Sequence, residues 1–263
     1  MRYVKYAPRT LEEQDAYMWE AAEFDFLVNE YIPNRSITPI FEKYLIDGAS
    51  ILEGGCGNGS WVKYLNDKGY DCIGVDINEV ILKVAEQEQL NIKKDDIEKL
   101  SFLDNTFDAY LSLGVVEHNV EGPECAIREA YRVLKPGGYF LVSTPCNNWL
   151  RKLVNHPLRD VLNLYYRLKG RKLHFVEYRF ERAELKEYIK KENFNIVEVV
   201  PNDYRLDSNE YCTGLSTDWP FLRDPTSKYR LNALGRMMKA ILKHVSPYLV
   251  ISGVLIVAQK PKG

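Results

Sequence analysis

The residues best suited to chemistry lie between positions 51 and 59, where an acid and alternating glycines follow a short apolar run. The stretch reads ILEGGCGNG from Ile51 to Gly59, and apolar residues recur at helical spacing from Ser60 onward. This pattern predicts a buried strand, a glycine turn and a helix. Such a turn presents free backbone N–H groups to a ligand, and glycine permits both tight backbone angles and close approach of the ligand.

A second acid follows where a nucleotide site would need one. The apolar run Cys72–Val75 predicts a second strand, and Asp76 follows it directly. In nucleotide-binding βαβ units an acid at this point, roughly 20 residues after the glycine loop, accepts the ribose hydroxyls. We therefore predict that Asp76 binds a ribose.

The spacing separates two kinds of nucleotide site. Dinucleotide-binding turns carry Gly-x-Gly-x-x-Gly, whereas Ser60 stands where the third glycine would fall. Glu53 ends the first strand, where a carboxylate would repel a pyrophosphate but would suit a ligand with an ammonium group. A generic turn, in which Gly57 and Gly59 only pack the helix against the strand, is the other interpretation. The order of acid, glycine loop and second acid disfavours it.

These residues resemble motif I and the following acidic position of class I S-adenosylmethionine (SAM) methyltransferases. The most family-specific text, FDAYLSLGVVEH…EAYRVLKPGGYFLVSTP from Phe107 to Pro145, resembles the type-11 methyltransferase domain. This broad group includes the quinone-biosynthesis methyltransferases. The resemblance covers about residues 49–145 and resumes weakly over 174–200.

The resemblance implies a Rossmann-like, doubly wound α/β domain. Its mostly parallel seven-stranded sheet would have an antiparallel last strand, and helical insertions would cap it. It also implies SAM as cofactor, S-adenosylhomocysteine as product, and a small-molecule acceptor methylated on oxygen, nitrogen or carbon. The cofactor-binding residues it implies are Glu53, Gly55, Cys56, Gly57, Gly59, Asp76, Ile77, Asp96, Ile97 and Leu113. Asp96 is matched to the adenine amino group, and Asp95 is the competing choice. A solvated acidic turn is the alternative for both.

Methyl transfer needs a base only if the acceptor still carries its proton. His118 is the best candidate because it follows the fourth predicted strand, at the carboxyl edge of the sheet. It could instead simply shape the loop, since the Glu-His pair recurs in relatives with other acceptors. His174 is a second candidate, with packing of the cap as its alternative. We expect His156 and His244 to lie on the surface.

A metal-assisted mechanism is not expected. In the quinone O-methyltransferase branch, an acid three positions before the Glu of the Glu-His pair helps to hold a divalent ion. Gly114 occupies that position here. Glu117 and His118 alone make a poor site for a hard cation, which prefers several oxygen ligands.

Composition restricts the partners. The chain has 263 residues and a formal net charge of -2, so it has no bulk attraction to nucleic acid or to anionic lipid. No Asn-Pro-Pro-Tyr-type motif follows the fourth strand, which disfavours methylation of base amino groups. Five scattered cysteines and the lack of an apolar leader at the start indicate a reduced, cytoplasmic protein. No stretch is long enough for a transmembrane helix, and the chain is expected to be a monomer or a homodimer.

We expect one domain over residues 1–263, divided into N-terminal helices (1–48), a SAM-binding core (49–145), cap insertions (146–180 and 202–246) and a terminal strand (247–263). The first helix is predicted over 11–31, ending before Pro33, with Tyr17, Trp19, Phe24 and Phe26 either packing or touching ligand.

The two insertions are predicted to select the acceptor through aromatic faces and through cations that include Arg151. The second contains a basic amphipathic helix. Its predicted apolar face comprises Leu231, Leu234, Met238, Ile241 and Leu242, and its predicted basic face comprises Arg236, Lys239 and Lys243. This helix could cover a sheet edge, mediate a dimer, or make weak peripheral contact with an anionic membrane.

SAM-dependent methyl transfer is thus the predicted function. The alternatives are a nicotinamide-dependent oxidoreductase, disfavoured by the glycine spacing and Glu53, and a non-catalytic SAM-binding protein.

Overall fold

The computed structural model describes residues 2–8, 24–227 and 229–262. The strands, in chain order, are β1 (Tyr3–Ala7), β2 (Ser50–Gly54), β3 (Asp71–Asp76), β4 (Ile92–Lys94), β5 (Phe107–Leu113), β6 (Leu134–Pro145), β7 (His174–Arg179), β8 (Asn195–Asn202) and β9 (Gly253–Gln259). The main α-helices are α1 (Thr38–Tyr44), α2 (Ser60–Asp67), α3 (Glu79–Gln87), α4 (Glu124–Val133), α5 (His156–Leu168), α6 (Arg182–Lys191), α7 (Thr213–Asp218) and α8 (Ala233–Val245).

Seven of these strands form one sheet in the order β4-β3-β2-β5-β6-β9-β8. The pairs from β4 through β6 are parallel, and β9 runs antiparallel to both β6 and β8. The strand order reverses between β2 and β5, and ligands of open α/β sheets bind beyond the carboxyl ends of the strands at such a switch point. The predicted doubly wound fold, with an antiparallel last strand, is confirmed.

Alternate side chains along the central strands enter two apolar clusters, one on each face of the sheet. Leu52 packs with α4 and α6 residues such as Ile127, whereas Ile51 packs with Phe41 of α1 and Trp61 of α2. Strands buried on both faces explain the near-continuous apolar runs of the sequence.

Several predicted boundaries shift. The third strand occupies Ile92–Lys94 instead of residues 90–92. The terminal strand, predicted within residues 247–263, begins only at Gly253, because Pro247–Leu249 forms a 3-10 turn. Asn193, expected to tolerate the left-handed conformation after the helix, has φ of +64° there.

A second, two-stranded sheet was not predicted. β1 pairs antiparallel with β7, and Val4 lies opposite Tyr178. The partners are far apart in the sequence, so no local pattern announces the pairing. This small sheet brings the N-terminal strand close to the loop that carries His118, since the His118 ring contacts β7.

The described part of the predicted first helix is Phe24–Phe26 followed by a π-helical turn, Leu27–Tyr31, which ends before Pro33 as expected. Phe24 packs in the core, whereas Phe26 is exposed. Tyr17 and Trp19 lie outside the described residues.

The predicted faces of α8 are right only in part, because Met238 and Leu242 pack against an apolar cluster as expected whereas other residues differ. Lys239 is fully buried, whereas Leu234 and Ile241 are exposed. The Lys239 ammonium donates to the backbone carbonyls of Tyr211, at 2.6 Å, and Ser208, which compensates the cost of burying it. The central cation of the proposed membrane face of this helix therefore points inward. Among helices of the described ranges, none has the length and apolar character needed to cross a bilayer.

Candidate active site

The glycine loop after β2 adopts backbone angles that favour glycine. Gly55, Gly57 and Gly59 have φ of +71°, +55° and +78°, in the left-handed region. A Cβ on Gly55 would lie 2.4 Å from Cγ1 of Val115, and one on Gly59 would lie 2.4 Å from Cδ1 of Ile92. The neighbours of the loop therefore require glycine for space as well as for conformation.

Hydrogen bonds attach this loop to the end of β3. The N–H groups of Gly55 and Cys56 donate to the Val75 carbonyl at 2.8 and 2.9 Å, and the Gly57 N–H donates to Oδ2 of Asp76 at 3.0 Å. Cys56 is buried, and burial raises the pKa of its thiol well above the usual value. It is a packing residue of the loop and not a nucleophile.

Glu53 is a buried acid with an unsatisfied oxygen. Its side chain is almost inaccessible to solvent, and its Oε2 has no hydrogen-bond partner among the described residues. Burial, and then the nearby charge of Asp76, raise the pKa of Glu53 well above its usual value. A cationic group placed here would oppose both effects, as expected for a ligand with an ammonium group.

Asp76 closes β3 beside the loop. Its Oδ1 accepts the Asn78 N–H at 2.9 Å, and its Oδ2 accepts that of Gly57. Each carboxylate oxygen offers a second acceptor position, so Asp76 keeps capacity for hydroxyl donors. Burial raises its pKa, and the backbone N–H bonds oppose this. Ile77, the next residue, is 65% exposed and presents an apolar side chain.

The two acids after β4 have different roles in the turn. Oδ2 of Asp95 accepts from the N–H and the hydroxyl of Ser101 at 2.9 and 2.7 Å, so Asp95 stabilises the turn itself. Asp96 is exposed, and its Oδ1 accepts only the Glu98 N–H among the bonds of the described residues. Ile97 is buried in the core and fixes the turn. This geometry favours Asp96 over Asp95 as the ligand-facing acid.

The sheet order collects these loops at one edge. β4, β3, β2 and β5 are neighbours, and their carboxyl ends carry Asp96, Asp76, Gly55 and Leu113 respectively. Glu53 lies in register with both Gly74 and Leu111. The residues predicted to bind the cofactor are thus brought to adjacent strand ends.

A pocket of about 150 Å³ opens beyond the ends of β5 and β6. Its lining includes Leu113, Gly114, Glu117, Ser143, Thr144 and Asn202. Glu117 is buried, and neither its Oε2 nor Oγ1 of Thr144 has a partner within the described chain. Burial raises the pKa of Glu117 to about 7, opposed chiefly by His118. Glu117 is therefore poised to change its charge near neutral pH.

His118, the predicted base, lies beside this pocket at the end of the 3-10 turn Val116–His118. Its Nδ1 is 2.7 Å from the carbonyl of Val176 in β7. A carbonyl only accepts, so Nδ1 carries the proton and Nε2 retains a lone pair in the neutral ring. This tautomer could accept a proton.

The other histidines differ from expectation in one case. His156, predicted on the surface, is buried and stacks on Tyr3 with ring centroids 3.6 Å apart. Burial, assisted by Arg179, lowers its pKa to about 4. His174 begins β7, and its strand pairing places it opposite Ala7. His244 is exposed, in agreement with its predicted surface position.

Comparison with known proteins agrees with this arrangement. A family model described as a methyltransferase domain matches residues 52–142. A ubiquinone biosynthesis O-methyltransferase from Coxiella burnetii is 32% identical over 158 residues, which cover 53% of this chain and 67% of that relative. The chain belongs to the class I SAM-dependent methyltransferases. A relative of the same name from Pseudomonas entomophila is 30% identical over 151 residues, covering 55% of this methyltransferase and 65% of the relative.

Solved structures share the fold of this methyltransferase. A SAM-dependent methyltransferase from Methanosarcina mazei has a TM-score of 0.58 at 23% identity, covering 86% of this chain and 98% of that one. A Haloferax volcanii methyltransferase, solved with the Trm112 activator, has a TM-score of 0.62 at 18% identity, covering 95% and 98%. At these identities the likeness shows the fold alone.

A metal ligand set is not formed within the described part of the methyltransferase. No group of three or more His, Cys, Asp or Glu side chains there is arranged to hold an ion. A Cβ on Gly114 would lie 3.7 Å from Oε1 of Glu117, so the missing acid of the quinone branch would fall next to Glu117. The expectation of a metal-free reaction stays a prediction.

A buried ionic network joins β1 and β7 to the two segments that were predicted to form a cap. Glu177 accepts from Lys5 and Arg179, each at 3.0 Å. Asp218 accepts from Arg179 at 3.3 Å and from Arg151 at 2.6 Å. Arg151, proposed from sequence as an acceptor-binding cation, is therefore a structural residue, since Asp218 and backbone carbonyls satisfy it.

Sequence reasoning missed Glu117 as a candidate base. It was considered only as a weak metal ligand, because its burial depends on long-range packing. One local signal was available: an acid beside His118 at the end of a strand that enters the catalytic edge.

Proposed function

We propose that this methyltransferase binds SAM where Gly55, Gly57, Asp76 and Asp96 meet, and methylates a hydroxyl oxygen of a small molecule held in the pocket beside Glu117. When bound, SAM supplies a methyl group on a positively charged sulfur. The remaining contributions come from residues of the chain, which bind, orient and deprotonate.

The donor set at the sheet edge fits this cofactor. Asp76 has acceptor capacity for two ribose hydroxyls, and Asp96 is an exposed acceptor for an amino group on adenine. The free oxygen of Glu53 lies where the ammonium of the methionine part would compensate a buried acid. Cys56, Gly59, Ile77, Ile97 and Leu113 complete the proposed surface.

Alignment of the acceptor with the methyl group of SAM supplies most of the expected rate acceleration. Holding two reactants in attack geometry contributes roughly 7–11 kcal/mol to lowering a barrier. Leu113, one of the proposed cofactor residues, also lines the pocket, so an acceptor within it would lie next to the transferable group. The small volume of the pocket favours a single planar or compact reacting end.

The observation that carries the proposal is the unsatisfied carboxyl of Glu117 in this pocket. A pKa of about 7 is suited to general base catalysis at neutral pH. We assign Glu117 the task of taking the proton from the acceptor hydroxyl. The unpaired hydroxyl of Thr144 offers a hydrogen bond to the same group.

His118 is the alternative base. In the neutral ring its Nε2 retains a lone pair, and in the charged form the ring opposes the rise in the pKa of Glu117. In the proposal it orients the loop and modulates Glu117.

Oxygen is preferred over nitrogen or carbon as the methylated atom. A neutral amine is a good nucleophile before it loses a proton, whereas a hydroxyl becomes one only as a base removes its proton. The Coxiella and Pseudomonas relatives are named as O-methyltransferases of ubiquinone biosynthesis. We extend only the oxygen chemistry to this chain.

The first test is calorimetry with SAM, S-adenosylhomocysteine and NAD. Binding of the first two without NAD is expected, and binding of NAD alone would return the chain to the oxidoreductase hypothesis. The second test is transfer of labelled methyl from SAM to a panel of phenols, catechols, amines and carbon acids. Transfer to amines but not to hydroxyls would contradict the oxygen assignment, and SAM binding without any transfer would favour a non-catalytic protein.

A further inference from the structure

Helix α5 turns its polar side toward the protein and its apolar side toward solvent, the opposite of a normal surface helix. Asn163 and His156 are buried on its inner side, whereas Leu158, Val161 and Leu168 are 62%, 68% and 79% exposed. A surface helix usually turns its apolar stripe toward the core. Here the polar side chains face the protein and the apolar ones face outward.

The outward face is continuous. The apolar face of α5 comprises Leu158, Val161, Leu162, Leu164, Tyr165 and Leu168, all exposed. At 100° per residue, these six side chains span about 160° of the helix circumference, and Asn163 and His156 lie opposite the centre of that arc. No charged residue of α5 falls within it. An exposed apolar patch of this extent marks an interaction surface.

Contacts with β1 hold the helix in this orientation. Tyr3 stacks on His156, with the rings inclined by only 8°, and its hydroxyl donates to Oδ1 of Asp160 at 2.7 Å. Rotating α5 to bury its apolar face would break both contacts and expose the buried polar side.

Charge identifies the kind of surface that would cover this face. Residues 149–172 contain seven Lys or Arg and one acid, Asp160, although the whole chain has a net charge of -2. Arg167, Lys169, Arg171 and Lys172 cluster at the C-terminal end of α5. All four are exposed, and none forms an ion pair within the described ranges.

We propose that the apolar face of α5 and these four cations dock the protein onto the surface of an anionic lipid bilayer. Exposed apolar side chains beside a basic cluster are the features of a helix lying in a membrane interface. The helix, of 13 residues, is about 20 Å long and would lie along the surface. This inference is independent of the proposed reaction, because none of its residues lines the pocket beside Glu117.

Helix α5 is connected to the proposed catalytic loop through two strands. α5 contacts β1 through Tyr3, β1 pairs with β7, and Val176 of β7 accepts from His118. A surface beneath α5 is therefore two strands from the proposed catalytic loop. A membrane-borne or amphiphilic acceptor could be delivered over this distance.

The experiment is co-sedimentation of the full chain with vesicles of phosphatidylcholine alone and of phosphatidylcholine with phosphatidylglycerol. Binding to the mixed vesicles that weakens as salt rises is expected. Each neutralised cation should lower the partition coefficient about fivefold. Arg167→Gln, Lys169→Gln, Arg171→Gln and Lys172→Gln together should therefore lower it by a factor of several hundred.

The apolar contribution is tested by Leu158→Ser, Val161→Ser and Leu164→Ser in one variant, which should lose at least about tenfold in partition. The matched control is Met237→Ser with Ile241→Ser, which removes exposed apolar side chains from α8 and should leave partition unchanged. Equal losses from both variants would indicate general adhesion and would overturn the assignment to α5.

Two further measurements test the folding of the variants and the contact of the wild-type protein with lipid. Thermal unfolding with S-adenosylhomocysteine identifies any variant that fails to fold. If a variant fails, membrane contact is tested on the wild-type protein instead, by quenching of its tryptophan fluorescence with brominated lipid. Trp149, half exposed just before α5, should be quenched, and Trp149→Phe should remove the effect. Absence of vesicle binding, or a stable dimer that the Leu158, Val161 and Leu164 variant dissociates, would overturn the membrane proposal.

Discussion

Replacing Glu117 by Gln should separate catalysis from folding, because the two effects have opposite signs. The substitution keeps the size of the side chain but removes its charge and its ability to accept a proton as a base. The matched control is Glu121→Gln, which alters an exposed acid a few residues further along the chain.

The effect on stability follows from linkage. In the unfolded chain Glu117 has its ordinary pKa of 4.5, whereas burial in the folded chain raises this pKa to about 7. Between these values the folded state binds more protons, so wild-type stability falls as pH rises. This difference in pKa lowers the free energy of unfolding of the wild-type protein by about 3 kcal/mol, and the loss is complete above the pKa of the folded state. The Glu117→Gln variant carries no ionisable group at this position, so its stability should not fall in this way. At pH 8 it should be more stable than the wild-type protein.

The effect on activity runs the other way. The wild-type kcat/KM should rise with pH to a plateau above about 7, as the base becomes ionised. Glu117→Gln should lower kcat by roughly 10²–10⁴-fold and flatten the profile, with little change in SAM affinity.

The assay is chemical denaturation from pH 4.5 to 8 alongside steady-state methyl transfer with the best hydroxyl acceptor. Glu121→Gln should match wild type in both. If Glu117→Gln keeps wild-type turnover and its pH profile, Glu117 is not the base. If its stability follows the wild-type pH curve, the carboxyl is not buried in the folded protein.

Three other substitutions test the remaining assignments. Asp76→Ala should weaken SAM binding by roughly 1.5–3 kcal/mol through loss of charge-assisted hydrogen bonds. The control Asp71→Ala, at the exposed start of β3, should not weaken it. Equal affinities of the two variants for SAM in calorimetry would refute the assignment of Asp76 to the ribose. Gly57→Val should abolish SAM binding while circular dichroism stays native, and Gly69→Ala, also at positive φ but in open space, should bind normally; normal SAM binding by the Gly57→Val protein would exclude the loop as the cofactor site. His118→Ala should lower turnover far less than Glu117→Gln if it only orients the loop, and a pH profile that loses its ionisation in this variant alone would make His118 the base.

The strand, glycine turn and acid that end at the carboxyl edge of the sheet could be predicted because their signals are local. A glycine at positive φ, such as Gly55 or Gly59, is required by the turn itself, and the acid after β3 follows directly from the strand. Parallel strands buried on both faces also leave a clear apolar pattern. The mostly parallel seven-stranded sheet with an antiparallel last strand was expected from the resemblance, and the structure confirms it.

The acceptor side could not be predicted to the same depth. Glu117 has an unusual pKa because of burial, and its pocket includes residues from β6 and β8 that are distant in the sequence. β1 and β7 meet only in the folded chain. His156 was expected on the surface because a polar residue in a basic, aromatic segment gives no sign that Tyr3 will cover it.

The two amphipathic helices show why periodicity alone misassigns a face. A pattern of apolar and polar residues defines two sides of a helix, but the partner decides which side turns inward. In α8 the carbonyls near Tyr211 provide acceptors for Lys239, so a cation occupies the interior. In α5 the stacking of Tyr3 and the burial of Asn163 hold the polar side inward. Such helices keep their apolar sides in contact with water unless something outside the chain covers them, and on α5 the surrounding positive charge favours an anionic surface.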